Sequence, residues 1–147
     1  MTKINICFLV LNKFTHDTRV LKEAHTLAKV GNQVTVWALG DGRLPSYEYR
    51  NGFIVKRWQS RVAEWPWRPP GLMLLEQMIA LARRLAHERA DVYHAHDANA
   101  LLPAFLAARL RDTKLVYDAH ELWEGARRGS TMAKWRLRVW QQIERFL

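Results

Sequence analysis

Histidine and carboxylate side chains stand together at three separate places in this sequence, and each place follows an apolar run. Asn12–Asp17 follows the first run, His94–Asp97 closes a second, and Asp118–Glu121 closes a third. A neutral imidazole can accept a proton from a hydroxyl group, and imidazole with carboxylate can also ligate a divalent metal ion. His96 is the best candidate for proton transfer, because it stands where its run ends.

The residues around these places follow an alternating pattern of strands and helices. Strands are predicted at Ile4–Leu11, Gln33–Leu39, Phe53–Gln59, Asp91–His96 and Lys114–Ala119, and helices at Thr18–Val30, Leu72–Glu88, Ala98–Arg111 and about Met132–Leu147. Such alternation indicates βαβ units. We therefore expect an α/β fold, a Rossmann-like doubly wound parallel sheet with helices on both faces. The expected order of its five strands, numbered along the chain, is 3-2-1-4-5, and ligands bind such sheets where the order reverses.

Length and composition limit the class of protein. A chain of 147 residues is long enough for one domain with a proper core. Its single cysteine, Cys7, lies inside an apolar run and is expected to be a buried, inert thiol. The sequence contains no apolar run of membrane-spanning length, and Met1–Lys3 leads directly into a strand rather than a secretory signal. These features predict a cytoplasmic location.

Several of the strand-end residues have an ordinary structural interpretation beside the functional one. Asp97 can orient the His96 ring or cap the next helix, and capping is the commoner role. Asp17 can likewise cap the helix that begins at Thr18, while Arg19 in its first turn can meet a phosphate or carboxylate. His94 lies within its strand and is expected to be a core histidine.

A metal site is an alternative use of the same side chains. Suitable donors are His94, His96, Asp97 and His120, and a His-x-His pair at a strand end occurs in metal-dependent hydrolases. No further pair of cysteines or histidines supports such a site, so we expect no metal. The sequence also contains no Gly-rich dinucleotide motif, no P-loop and no G-x-S-x-G elbow.

Three segments together resemble the N-terminal domain of a GT-B glycosyltransferase, most closely the retaining group called glycosyltransferase family 4. They are HDTRVLKEAHTLAKVGNQVTVWAL (His16–Leu39), DVYHAHDANALLPAFLAA (Asp91–Ala108) and KLVYDAHELWE (Lys114–Glu124). The resemblance implies a hexosyltransferase-type enzyme that moves a sugar from a nucleotide-sugar donor to an acceptor hydroxyl with retention of configuration. The acceptor would be lipid-linked, a glycan or a small molecule, and no cofactor or metal is implied.

The resemblance also assigns roles to individual residues. His96 matches the histidine that lies close to the transferred sugar and is the catalytic candidate. The implied substrate-binding residues are Asn12, His16, Asp17, Arg19, Asp97, Asn99, Asp118, His120 and Glu121. One departure concerns the first loop, where Phe14–Asp17 replaces the Gly-Gly turn that many family members place near the donor phosphate.

The family pattern further implies a second Rossmann-like domain that binds the nucleotide sugar and carries a Glu-x7-Glu motif. That motif is absent from this sequence. We therefore expect residues 1–147 to be the N-terminal, acceptor-side domain, incomplete at its C-terminus and inactive alone.

The net charge of +9 favours anionic partners. Trp65, Trp67 and Arg68, together with Trp135–Arg145, can form a basic aromatic surface that lies on an anionic membrane. The alternative is that the terminal helix contacts the second domain. A non-catalytic basic α/β module that binds nucleic acid is a rival from another class, but its basic residues fall on helices away from the strand ends. A metal-dependent hydrolase is a third possibility.

Overall fold

The computed structural model describes residues 2–59 and 69–119. They form β1 (Asn5–Val10), α1 (Thr18–Lys29), β2 (Gln33–Leu39), β3 (Tyr47–Arg50), β4 (Phe53–Trp58), α2 (Pro70–Ala86), β5 (Val92–His96), α3 (Ala98–Arg111) and β6 (Lys114–Asp118). The Trp-rich passage at Trp65 and Trp67 and the terminal helix predicted from Met132 lie outside the described residues. None of the described helices is long and apolar enough to cross a membrane.

The strands form one six-stranded sheet in the order β3-β4-β2-β1-β5-β6. The five predicted strands are β1, β2, β4, β5 and β6, and they pair in parallel in the predicted order. The expected doubly wound α/β fold is thereby confirmed. The order reverses at β1, whose neighbours are β2 on one side and β5 on the other.

The prediction of a wholly parallel sheet is wrong at one edge, where β3 pairs antiparallel with β4. The two strands are joined by Asn51 and Gly52, which have φ angles of 49° and 91°. Two consecutive residues with positive φ make the tight turn that Asn-Gly favours in hairpins. The Asn-Gly pair was therefore a sequence signal for this hairpin. Tyr47–Arg50 was not predicted as a strand because the segment is short and half of its residues are charged.

Each face of the sheet has its own core because side chains alternate along β1. Phe8 and Val10 join the cluster beneath α1, whereas Cys7 and Leu9 join the cluster beneath α2 and α3. Helices therefore cover both faces, as predicted. Cys7 is buried, as expected, and its burial raises the pKa of the thiol well above its usual range, which disfavours the reactive thiolate.

A buried arginine anchors the loop between β1 and α1. The guanidinium of Arg57 donates to the carbonyl oxygens of Lys13 at 3.3 Å and Pro45 at 3.0 Å, and to the carboxylate of Glu48 at 2.9 Å. Arg50 donates to the carbonyl of Phe14 at 3.3 Å. Burial of Glu48 works in the opposite direction, but hydrogen bonds from both arginines hold its pKa below the ordinary value. β3 and β4 thus fix the backbone of the first loop.

Replacing Arg57 by methionine should lower the free energy of unfolding by about 3 kcal/mol, because two carbonyls and a carboxylate lose a buried donor. Urea denaturation followed by circular dichroism measures this loss. The exposed Arg43 provides the matched control, and R43M should change stability by less than about 0.5 kcal/mol. Equal effects of the two substitutions would contradict the anchoring role of Arg57.

Candidate functional site

The carboxyl ends of β1, β5 and β6 lie side by side. In the sheet register Val10 pairs with His96, and His96 pairs with Asp118. The predicted residues that follow β1 and end β5 and β6 therefore meet at one edge of the sheet. This edge includes the place where strand order reverses, which is where open parallel sheets bind ligands.

The first loop is held by its own side chains. Asn12 accepts a hydrogen bond from the backbone of Phe14 at 2.7 Å and donates to Asp17 at 3.1 Å. Asp17 also accepts from the backbone of Val20 at 3.2 Å, so it caps α1 as expected. Phe14 is buried with a φ of 51°, and His16 is exposed. Asn12 and Asp17 therefore act first as supports of this loop.

Asp97 occupies the N-cap position of α3, but its side chain makes no capping hydrogen bond. The expectation that capping is its role is thus wrong. Its backbone has φ 70° and ψ 158°, a conformation nearly restricted to glycine that costs on the order of 1–3 kcal/mol. Its carboxylate instead lies 3.7 Å from the guanidinium of Arg19. The Asp97 carboxylate therefore lies near Arg19 of α1 rather than on the first N–H groups of α3.

Asn99 stands in the first turn of α3, two residues after Asp97, which pairs with Arg19. Its side-chain oxygen is buried and has no hydrogen-bond partner among the described residues. The same holds for Nε of Arg19. Buried polar atoms without partners are rare and need an explanation such as a ligand. These two atoms mark the crevice as a polar binding surface.

His94 and His96 lie beneath this surface, on the α1 face of β5. Their rings stack at a centroid distance of 4.2 Å, and both rings contact Phe8. His96 has no exposed surface, and His94 is 8% exposed, so the expectation of a core position for His94 is confirmed. Within the described residues, neither ring nitrogen of His96 has a hydrogen-bond partner, nor does Nε2 of His94.

Both histidines are held in the neutral form. Burial lowers the pKa of His96 to about 4, and the neighbouring His94 lowers it further, while Asp118 acts in the opposite direction. Burial also lowers the pKa of His94. Arg19 and Asp17 have smaller, opposite influences on the pKa of His96. The site therefore presents imidazole rather than imidazolium at pH 7.

Two carboxylates border the histidine pair. Nδ1 of His96 lies 3.5 Å from Asp118, and Nδ1 of His94 lies 3.3 Å from Glu23 on α1. Asp118 was predicted from the sequence, whereas Glu23, which stands in mid-helix beside the buried Ala24, was not. The sequence feature that could have identified Glu23 as a site residue is its place at the edge of the apolar face of α1. His120 and Glu121 lie outside the described residues.

Two cavities of the described residues lie elsewhere. One of about 880 Å³ lies at the amino ends of the strands, near Asn5 and Ala90, and one of about 980 Å³ lies beside Trp37 and Trp58. Neither is lined by a predicted site residue. We give more weight to the strand-end crevice, because it combines backbone strain, partnerless polar atoms and neutral imidazoles.

The described residues form a Rossmann-like α/β domain with a polar crevice at the carboxyl ends of its strands, and the sequence resemblance to a GT-B glycosyltransferase domain agrees with the family comparison. A family model described as Glycosyltransferase Family 4 matches residues 17–147. The chain belongs to this family. The matched span contains Arg19, His96, Asp97 and Asn99. Among curated proteins, no sequence matches.

Solved structures resemble the chain in fold. Sucrose-phosphate synthase from Thermosynechococcus elongatus superposes with a TM-score of 0.60 at 14% identity over 90% of this chain and 37% of its own. The calicheamicin glycosyltransferase CalG4 gives 0.57 at 16% identity over 93% of this chain and 41% of its own. The C-terminal domain of a hydrogenase from Pyrococcus furiosus also gives 0.52 at 15% identity, over 80% of this chain and 94% of its own. At these identities the likeness concerns the fold, and this chain spans less than half of the synthase and of CalG4.

The lowered pKa of His96 predicts a pH-dependent stability. The unfolded chain binds a proton near the ordinary value of 6.5 and the folded chain near 4, so the unfolded state holds more protons between these values. The free energy of unfolding should therefore fall as pH drops from 6.5 toward 4, by about 3 kcal/mol for a full shift of that size. Urea denaturation in metal-free buffer across this range measures the slope.

The variant His96→Asn should reduce this slope and leave only the part contributed by the buried His94, whereas His16→Gln, a change at an exposed histidine, should leave the slope as in the wild type. A wild-type slope in H96N would show that His96 is not the titrating group.

Proposed function

We propose that this chain is the N-terminal, acceptor-side domain of an enzyme that transfers a sugar from a nucleotide-sugar donor to an acceptor hydroxyl with retention of configuration. The observation that carries the proposal is the family match over residues 17–147, a span that contains most of the strand-end site. The bond between the anomeric carbon and the donor phosphate would break, and the acceptor oxygen would take its place. The donor leaves as a nucleoside diphosphate that keeps the oxygen of the broken bond, and the proton of the acceptor hydroxyl passes to this leaving phosphate or to solvent.

The electrostatics of the crevice support binding of an anionic donor. α1 and α3 both begin at this edge of the sheet, so their positive dipole ends point toward it. Arg19 adds a full positive charge in the first turn of α1. The resemblance assigns Asn12, His16, Asp17, Asp97, Asn99 and Asp118 to substrate binding, and we propose that Arg19 with Asn99 contacts the polar groups of the donor.

His96 is the proposed catalytic residue, in contact with the transferred sugar near the reaction centre. A neutral imidazole suits this role, because it can accept a hydrogen bond from a sugar hydroxyl. Its ring has no exposed surface in this structure. Contact with a sugar therefore requires a movement that uncovers the ring when substrates bind.

We propose that the nucleotide and most of the leaving phosphate are held by a second domain. The chain spans 37% of sucrose-phosphate synthase and 41% of CalG4. On this proposal residues 1–147 alone turn over no substrate, and the transfer reaction itself uses no metal or cofactor. The acceptor class, whether lipid-linked, glycan or small molecule, is set by this domain and the donor mainly by the other.

Sugar transfer should depend on His96 in the full-length enzyme that contains this domain. His96→Ala should lower kcat by roughly tenfold to 100-fold, because the transferred sugar loses a hydrogen-bond acceptor near the reaction centre. Arg19→Gln should lower kcat/KM by about tenfold to 100-fold through a lost charge-assisted hydrogen bond. Transfer is measured with a panel of nucleotide sugars, and proton NMR of the product reports the anomeric configuration.

The control for both variants is His87→Ala, because His87 is exposed beyond the C-terminus of α2, at the other end of the sheet. R19Q changes a partly exposed side chain, so its folding is expected to be intact even if H96A is unstable. Wild-type rates in both H96A and R19Q would refute the assigned site. An inverted product would refute retention.

We also propose a cytoplasmic location with peripheral contact at the inner face of an anionic membrane. Two leucines near the start of α2, Leu72 and Leu75, are 47% and 46% exposed, directly after the Trp-rich passage. Exposed apolar side chains that follow basic and tryptophan residues in the sequence suit a membrane interface.

Liposome co-sedimentation tests this contact. The wild-type chain should bind vesicles in which about one third to one half of the lipid is anionic. The double variant L72S/L75S should lose this binding, because it removes apolar area whose burial contributes roughly 25 cal/mol per Å². Binding to neutral vesicles should be weak, because each basic residue near an anionic surface contributes about 1 kcal/mol. Binding that is independent of anionic lipid would reject the proposal.

A further inference from the structure

Four side chains from three elements converge beside the crevice, and we name Glu23, His94, His96 and Asp118 the histidine-carboxylate cluster. One ligand atom from each residue lies within 4.8 Å of those of all the others. α1 supplies Glu23, β5 supplies both histidines, and β6 supplies Asp118. The closest pairs are His94–Glu23 at 3.3 Å and His96–Asp118 at 3.5 Å.

The burial of His96 is an independent indication of a ligand. Its ring is fully buried, yet neither nitrogen has a hydrogen-bond partner among the described residues. A buried polar group without a partner costs about 1–3 kcal/mol. A bound cation removes part of this cost, because the unprotonated nitrogen of a neutral imidazole has a lone pair that can bind the cation.

We propose that the histidine-carboxylate cluster binds one divalent transition-metal ion, with Zn²⁺ as the representative species. Two imidazole nitrogens and two carboxylate oxygens are a donor set that suits Zn²⁺ and related ions, and two carboxylates balance the charge of a divalent ion. Metal–nitrogen and metal–oxygen bonds of about 2.0–2.2 Å require the ligand atoms to draw together by roughly 1 Å. The two stacked rings must also tilt, because an ion lies in the plane of each imidazole that binds it. Glu23 has a side chain 35% exposed, which gives the ion a path from solvent.

This site differs from the one considered from sequence, which combined the histidine pair with Asp97 and His120. Asp97 is directed toward Arg19 instead. It also revises the expectation that the chain binds no metal, because Glu23 completes the donor set only in the folded structure. The inference does not depend on sugar transfer, since it concerns binding by this chain alone.

The test is metal binding by the purified chain after dialysis against a chelator. Titration with Co²⁺ should give one equivalent bound, with the intense visible absorption of a four-coordinate site, and Zn²⁺ should displace it. Zn²⁺ should also raise Tm, because it binds the folded state. Glu23→Gln and His94→Gln should each weaken Zn²⁺ binding by at least tenfold and reduce the visible absorption.

The matched controls are His25→Gln and His87→Gln, which remove exposed histidines outside the cluster. Both should keep wild-type affinity and spectrum. Because Glu23 is partly exposed, E23Q is expected to fold normally, and its circular dichroism confirms this. Wild-type affinity in E23Q and H94Q, or loss of binding in a surface-histidine variant instead, would overturn the proposal. Octahedral cobalt spectra with more than one weak equivalent would also overturn it.

Discussion

The position of β5 between β1 and β6 is the constraint on which the site depends. An internal strand buries both of its faces, and its period of two sends Tyr93 and Ala95 to one core and His94 and His96 to the other. Two imidazoles are thereby forced beneath α1, where water cannot solvate a charged ring. Burial then sets their neutral state. The chemistry available at this edge of the sheet follows from where the strand lies.

Two neighbours of the histidine pair differ in backbone geometry: hydrogen bonds from arginines hold the first loop, whereas Asp97 has a strained backbone conformation. Arg57 and Arg50 hold the carbonyls of the first loop, so the β3–β4 hairpin at the sheet edge supports residues close to the crevice. Asp97 keeps a backbone conformation that costs on the order of 1–3 kcal/mol. Its N–H donates to the carbonyl of Asp118 at 3.0 Å, and its own carbonyl accepts from Ala100 at 3.1 Å. These two bonds hold the strained residue in place.

The sequence predicted those features that depend on local pattern. Apolar runs identified the five parallel strands and their order, and the spacing at Asp17 identified a helix cap. It did not predict features that depend on distant contacts. Glu23 becomes part of the site because α1 packs across β5, and Asp97 loses its capping role because its backbone and Arg19 draw the carboxylate elsewhere. Tyr47–Arg50 was missed because its pairing with β4, rather than its composition, makes it a strand.

The two proposed roles of His96 make opposite demands on one ring. Contact with a sugar requires the imidazole to be uncovered, whereas metal binding holds it in the buried position beside His94 and Asp118. A ring nitrogen bound to a metal has no lone pair left for a hydroxyl. On physical grounds the two occupancies therefore compete. A metal ion in the cluster would stabilise the domain in the state in which His96 cannot reach a substrate, so it would oppose transfer rather than assist it.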